Sequence, residues 1–552
     1  MRGVDLSGAR PDPFASKRAH EVAQFALLRG EVLPGHGTSL RLRRVILSNG
    51  VIRTMDPSLP TAAALAIAGD RVAGGVGVHE WALPTPERVD LGGRCVVPGF
   101  ADAHVHFPSW ALERRQVSLR GAETLRAAVA CIAAHPTGDG WIRGAGWRDA
   151  DWESAPTAAA LDAVTGPRPA ALLAQDHHSL WLNSAALALA GGDLAAPGGV
   201  VERDATGAPT GVLREESAWR FQARFAQPTE AETLAAVREG IRVANARGVV
   251  SVHDKDGGRD ALSVFGQIHA AEGLTLRVWQ SLPADRLPHL AALGLRPGLG
   301  DDFLRVGYLK AFMDGTLGSR TAWLLDGSGV CLTSGEELER IVRDGAALGW
   351  PVSVHAIGDR ANREALDAFE RSRDVWAPLG LRHRIEHAQC LHPDDVPRFA
   401  ALGVAASIQF SHAPSDRDLA ERFWPDRLDG AYAFGSLVRS GAVVATGSDA
   451  PVEELDPLEG LRAGVLRTLN ERPGWRPAEA VTVEQALHAA TLAPAWLAGD
   501  ERRRGTLIPG RLADLVVLSR DPVTCPPDEL ESIEVVATMV GGRWVHNPPP
   551  WE

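Results

Sequence analysis

From Arg41 the chain reads as short β-rich runs: "RRVILSNGVIRTM", "AALAIAGDRVAGGVG" and "ERVDLGGRCVVPG". The far end has the same texture in "GTLIPGRLADLVVLS" and "IEVVATMVGGRWVH". Asn49-Gly50, set between two β-rich runs, predicts a hairpin turn. The middle follows another rhythm, in which β-branched runs repeatedly end at a polar or metal-binding side chain. These runs are "VVPGFADAH" to His104, "VVSVHD" to Asp254, "LRVWQS" to Ser281, "FLRVGYLK" to Lys310, "VSVHA" with His355, "RHRIEHA" with His387, "VAASIQ" to Gln409 and "VVATGSD" to Asp449. Stretches of helical periodicity such as "RANREALDAFERSRDVW" separate most of them.

Eight strand-like runs alternating with helices predict an α/β fold, a (β/α)8 TIM barrel whose polar residues gather at the C-terminal strand ends. The β-rich ends, 41–95 and 490–552, predict a small β-sandwich built from both termini, with the barrel over 96–489. Residues 1–40 read as an N-terminal extension without a strand pattern. Between the first two barrel strands lies a segment far longer than an ordinary connection, 110–245. It carries "GWIRGAGWRDADW", "PAALLAQDHHSLWLNSAALAL" and a hairpin-like "GGVVERDATGAPTGVLRE", which predict a large insertion over the barrel mouth.

Composition narrows the class. Hydrophobic residues at 45% and charged residues at 23% describe a soluble globular protein. A net charge of −12 argues against a general nucleic-acid binder. No apolar run approaches the ~18 residues of a spanning helix, and the N-terminus lacks a signal-peptide layout, so no membrane partner and a cytoplasmic location are expected. Five scattered cysteines without C-x-x-C point to neither a disulfide framework nor a thiolate metal site. A small-molecule substrate and a homo-oligomer are the expected partners.

The candidate chemistry sits at the strand ends. His104 and His106, two apart on a strand, share a face, although the pair alone fits equally two histidines satisfied by local hydrogen bonds. His355, His387 and Asp449 at other strand ends turn the pair into a ligand set without thiolates, suited to Zn2+, Mn2+, Fe2+ or Ni2+. Lys310 would aim a positive charge into that pocket. A neutral, desolvated lysine amine can instead take up carbon dioxide as a carbamate and bridge two ions; the alternative is a salt bridge to Asp314 or a substrate carboxylate.

The run of motifs "PGFADAHVH", "GWRDADW", "HHSLWLNSAAL", "GVVSVHD", "KAFMDGTLGSRTA", "VHAIGDRA", "RIEHAQ", "GSDAPVEELDPL" and "GTLIPGRLADLVVL" resembles the amidohydrolase superfamily, in its amidohydrolase-3 branch. The resemblance implies a divalent metal centre of one or two ions, zinc as the first choice. His104 and His106 would hold the more buried ion. The Lys310 carbamate would bridge to a second ion on His355 and His387, and Asp449 would ligate the first and handle the proton. It also implies hydrolysis of a C–N bond in a small amide or N-substituted formamide by activated water. An ester, lactone or carbamate substrate, a non-hydrolytic lyase or isomerase reaction, and a catalytically dead scaffold are the alternatives. His178 is a candidate catalytic donor to substrate or oxyanion, with Trp147, Trp181 and Arg320 as candidate substrate contacts. His253 and Asp254 are candidates for orienting ligands. Two departures from the branch pattern are His177 in "DHHS", where glycine is usual, and Phe410 in "SIQFSH", where proline is common.

Overall fold

Eight parallel strands form the barrel: β1 Phe100–Val105, β2 Val249–Asp254, β3 Arg277–Pro283, β4 Leu304–Phe312, β5 Val352–Ala356, β6 Arg384–His387, β7 Ala405–Ile408 and β8 Val444–Thr446. Each pairs with its sequence neighbour, in the order β8-β7-β6-β5-β4-β3-β2-β1. The computed structural model describes residues 44–74, 86–134, 140–149, 152–175, 177–257 and 260–551. The expected 1–40 extension lies outside the described residues. All eight predicted runs overlap a barrel strand, and the fold is the expected (β/α)8 barrel.

The outer helices bury one face each. Helix Asp359–Arg371 turns Ala361, Ala365, Leu366, Ala368 and Phe369 inward, the spacing of a single helical face. Helix Glu230–Ala246 begins at a capping box in which Thr229 and Glu232 satisfy each other's backbone N–H groups. Leu338, Val342, Leu366, Phe369 and Phe399 join one apolar shell around the strands, each stabilising the fold by about 1.5–3 kcal/mol through burial.

Inside the barrel, Ala103, Tyr308, Ala405 and Ala445 pack against helix Leu492–Leu497, whose Leu497 carbonyl accepts from the Tyr308 hydroxyl at 2.8 Å. The small alanines leave room for a large polar side chain, and Arg384 lies 4.2 Å from the centre of the Tyr308 ring. Helix Leu492–Leu497 therefore packs with the barrel, although it falls within the 490–552 stretch expected in the terminal sandwich.

Strands from both ends of the chain form one eight-stranded sheet, Arg44–Arg53 and Cys95–Pro98 pairing beside Leu515–Leu518 and Val535–Val540. The hairpin expected at Asn49-Gly50 is not there: both residues lie within the strand Arg44–Arg53, at a register shift between Ser48 and Ile52. Asn49 adopts φ 60°, and a Cβ on Gly50 would meet the Arg94 carbonyl at 2.4 Å. The residues that favour a turn here make a bulge, because the chain from 91 to 95 crosses close against the strand.

The insertion forms its own layer, a six-stranded sheet in the order Gly199–Arg203, Pro209–Glu215, Ser179–Leu182, Ala170–Ala174, Ile142–Trp147, Val117–Ser118. The first two make the predicted antiparallel hairpin. No helix among the described residues is long and apolar enough to cross a membrane.

The ring closes where β8 meets β1. Asp449 N donates to the His104 carbonyl at 2.7 Å, and His106 N to the Ala450 carbonyl at 2.8 Å. Gly447 makes this approach sterically feasible, since a Cβ there would lie 2.4 Å from His104 N and 2.6 Å from Asp102 Oδ1. Gly447→Ala is expected to lower the unfolding free energy by about 1–3 kcal/mol through overpacking. Urea denaturation of the purified variant checks this, and an unchanged midpoint and slope would contradict it.

Candidate metal centre

The ends of β1, β5, β6 and β8 bring four histidines and an aspartate into one row. Ring centroids are 5.7 Å apart for His104 and His106, 4.7 Å for His104 and His387, and 4.6 Å for His387 and His355. Asp449 sits against the row, Oδ1 at 3.2 Å from His104 Nε2 and 3.6 Å from His106 Nε2, Oδ2 at 3.8 Å from His387 Nδ1. Two of these residues hold left-handed backbone, His387 at φ 74° and Asp449 at φ 57°. Such strain in non-glycine residues persists where surrounding structure enforces it, as it does at functional sites.

Both β1 histidines are oriented by a carboxylate on the far ring nitrogen. His104 Nδ1 is 2.7 Å from Glu386 Oε2, and His106 Nδ1 is 2.8 Å from Asp256 Oδ1. This fixes each ring and leaves both Nε2 atoms facing Asp449, the arrangement by which carboxylates prepare imidazoles for a metal. The donor atoms of His104, His106 and Asp449 lie within 4.8 Å of one another, as do those of His387, His412 and Asp449. The residues present fit a divalent cation on chemistry and on geometry.

Glu386 is itself wholly buried and collects charge around it. Its Oε1 is 2.9 Å from Lys255 Nζ and 2.9 Å from Arg384 Nε, and it accepts from Ser353 Oγ. Burial alone would raise its pKa; Arg384 and Lys255 beside it, with the hydrogen bond from His104, outweigh that and hold the carboxylate well below its usual range. Asp256 is held in turn by Ser109, whose N and Oγ donate to Oδ2, and by Asp254, whose Oδ2 accepts from Asp256 N. Asp254 thus acts through Asp256, while His253 lies in the barrel interior, accepting from Arg384.

Lys310 ends up buried in the cavity wall with no hydrogen-bond partner for Nζ among the described residues. Burial pulls its pKa down to about 8, which brings the neutral amine within reach near neutral pH. The salt bridge to Asp314 does not form. Asp314 instead accepts backbone N–H groups of Trp323, Ile357 and Gly358. Burial, then the Lys310 charge, lowers His355 to about 3, so its imidazole is neutral. His355 Nε2 meets the Gly315 carbonyl at 3.0 Å. For Asp449, burial raises the pKa, but His104 and His387 win and hold it ionised.

These residues line a cavity of about 1690 Å³ between the barrel mouth and the inserted layer. His178 reaches it, its Nδ1 2.7 Å from a Glu215 carboxylate oxygen and its ring 5.2 Å from that of Trp219. His177 also lines the cavity and sits 3.5 Å from Glu113; Asp176 between the strand and this pair lies outside the described residues. Glu113 pairs with Arg120, which donates to the carbonyls of Pro451 and Val452, just past Asp449. The inserted layer is thereby latched to the loop that carries Asp449.

Arg320 lines the cavity with its guanidinium 5.4 Å from the centre of the Phe423 ring. Trp147 touches the cavity but is otherwise buried, its Nε1 bound to the Leu172 carbonyl. The expectation for Trp181 needs correction. It is fully buried within the inserted layer, donates to the Thr157 carbonyl and packs edge-on against Trp147 and Trp152, away from the cavity wall. Phe410 is likewise buried, its ring against Phe434 and Gly464, and fills space behind the seventh-strand loop.

Sequence reasoning missed Glu386, Asp256, Glu215 and His412, and read Gln409 only as the polar end of the seventh strand, not as the partner of His387 Nδ1. His412 had the only local signal, a histidine four residues past β7 in "SIQFSH". The others are acids whose partners are distant in sequence.

The profile of the Amidohydrolase family matches residues 87–546. Protein LONG AFTER FAR-RED 3 of Arabidopsis thaliana is 32% identical over 91% of this chain and 91% of its own length. N-substituted formamide deformylase of Arthrobacter pascens is 28% identical, covering 91% of this chain and 98% of its own. An uncharacterized metal-dependent hydrolase from Pyrococcus horikoshii superposes with a TM-score of 0.76 at 27% identity, over 88% of this chain and 99% of that one. The barrel and its row of histidines facing an aspartate define a metal-dependent hydrolase. The chain belongs to the amidohydrolase family, in its amidohydrolase-3 branch.

Asp256→Ala is expected to weaken binding of a divalent metal, probed with added zinc, by about 10–100-fold, because it frees the His106 ring from its orienting carboxylate. Competition titration against a chelating dye, with circular dichroism to confirm folding, measures it. Wild-type affinity in a folded variant would contradict the assignment.

Proposed function

We propose that this protein hydrolyses the C–N bond of a small amide, with N-substituted formamides as the first substrate class to test. The observation that carries the reading is the pair of carboxylate-anchored histidines facing Asp449 at the floor of the cavity, with buried Lys310 beside them. The likeness to an N-substituted formamide deformylase over nearly the whole chain supports the substrate class. His104, His106, His387 and Asp449, with His355 and a carbamate on Lys310, would hold one or two zinc ions. A bound divalent cation supplies Lewis acidity, lowering the pKa of water and polarising a carbonyl.

The chain's own groups do the rest. The ionised Asp449 carboxylate accepts a proton from the attacking water. As the C–N bond breaks, that proton passes to the nitrogen, giving an amine and a carboxylic acid. Glu215 keeps the His178 ring in one orientation, so that its other nitrogen can meet a polar group of the substrate. Arg320, stacked on Phe423, is placed for a substrate that carries an anionic group. Neutral Lys310 takes up carbon dioxide at Nζ with loss of a proton, becoming a carboxylate donor in place of a cation.

The deciding experiment is a panel of N-formyl, N-acyl, carbamate and lactone compounds offered to the zinc-loaded protein, alongside Asp449→Asn and Lys310→Ala. The expected result is turnover of a formamide or amide, a fall of about 100-fold or more in Asp449→Asn, and partial rescue of Lys310→Ala by short-chain carboxylic acids. Turnover confined to lactones or carbamates would overturn the substrate class. Wild-type activity and metal content in Lys310→Ala would end the carbamate assignment.

A further inference from the structure

The loop after β7 brings a fifth histidine to the site. His412 is buried, lines the same cavity as Lys310 and Asp449, and lies with its ring parallel to His387 at 6.3 Å. The two rings are held by separate amides. Gln409 Oε1 is 2.9 Å from His387 Nδ1, and the amide nitrogen of Gln389 is 3.0 Å from His412 Nδ1. An imidazole nitrogen facing an N–H must accept, so Gln389 places the His412 proton on Nε2. That Nε2 has no hydrogen-bond partner among the described residues and is 3.9 Å from Asp449 Oδ2, beyond bonding distance. A buried N–H without a partner costs stability; here it lies beside the carboxylate that handles the proton.

We infer that His412 is a catalytic residue of the hydrolysis, its Nε2–H donating to the scissile carbonyl oxygen as that oxygen gains negative charge beside Asp449. This rests on the hydrolase reading above. Such a donor contributes more in the transition state than in the ground state, since the charge it meets develops during attack. Gln389 is then a positioning residue, fixing which nitrogen of His412 carries hydrogen. The competing role is that of a metal ligand, because the donor atoms of His387, His412 and Asp449 lie within 4.8 Å of one another. A ligating nitrogen needs a free lone pair, and the Gln389 contact leaves Nε2 protonated.

The test compares His412→Phe, which removes the donor while filling its space, with His412→Asn, which keeps an N–H. Zinc stoichiometry and affinity are measured for each folded variant, then kcat and KM on the amide that the panel identifies. Zinc binding should match the wild type in both. In His412→Phe, kcat should fall about 100-fold, with KM within about threefold, since the loss is confined to the transition state. His412→Asn should recover at least part of the kcat. Binding of inorganic phosphate, a tetrahedral oxyanion, to the zinc-loaded protein should weaken about tenfold in His412→Phe, the scale of one hydrogen bond to a charged group. The phosphate and zinc measurements stand even if every compound in the panel is inert, which separates failure of this inference from failure of the substrate assignment. Loss of a zinc equivalent in His412→Phe would make His412 a ligand and overturn the donor role. So would unchanged kcat, or unchanged phosphate affinity.

Discussion

The contact between β1 and β8 is the constraint on which the rest depends. His104 lies at the end of the first barrel strand and Asp449 follows the last, and the backbone bond between them at 2.7 Å is part of the barrel's closure. The same turn sets Asp449 Oδ1 3.2 Å from His104 Nε2. Forming the fold and assembling the candidate ligands are therefore one event. Gly447 makes the approach possible, and Asp102 secures it by accepting from His104 N and from both N and Oγ of Ser448.

Beneath the ligands the barrel interior is ionic rather than aliphatic. Replacing hydrocarbon with Arg384, Glu386 and Lys255 costs desolvation, and such clusters are weak evidence of stability. What this one provides is orientation. Glu386 receives Lys255, Arg384 and a hydroxyl on one oxygen and turns the other toward His104. Its charge is held in place by neighbours that cannot leave the interior, so the His104 ring keeps one tautomer and one direction. Asp256 does the same for His106 from the β2 loop, nearer the solvent. The inserted layer adds the outer wall through the His177–Glu113–Arg120 contacts, which tie it to the loop carrying Asp449.

The barrel and most of its candidate ligand row were legible in the sequence because they rest on local signals. A buried parallel strand is a β-branched run, and a polar side chain at its end interrupts that run with a histidine, lysine or aspartate. His104, His106, Lys310, His355, His387 and Asp449 all carry this mark. Glu386 does not, since it sits inside "RIEH" and owes its role to Lys255 and Arg384 crossing the barrel. Asp256 follows a strand end already occupied by Asp254, and only the three-dimensional contact with His106 distinguishes the two. Trp181 shows the converse: a tryptophan in a motif-rich segment reads as a wall residue, whereas the pleat of its strand turns it into the layer's own core. Asn49-Gly50 misled for a related reason, since residues that favour left-handed backbone serve a bulge as well as a turn.

A metal centre at the closing seam of the barrel would be visible by anomalous X-ray diffraction at the zinc edge, from crystals grown with zinc. The expected result is a peak within coordinating distance of His104, His106 and Asp449. Strong zinc peaks elsewhere on the molecule with none at the barrel mouth would contradict it.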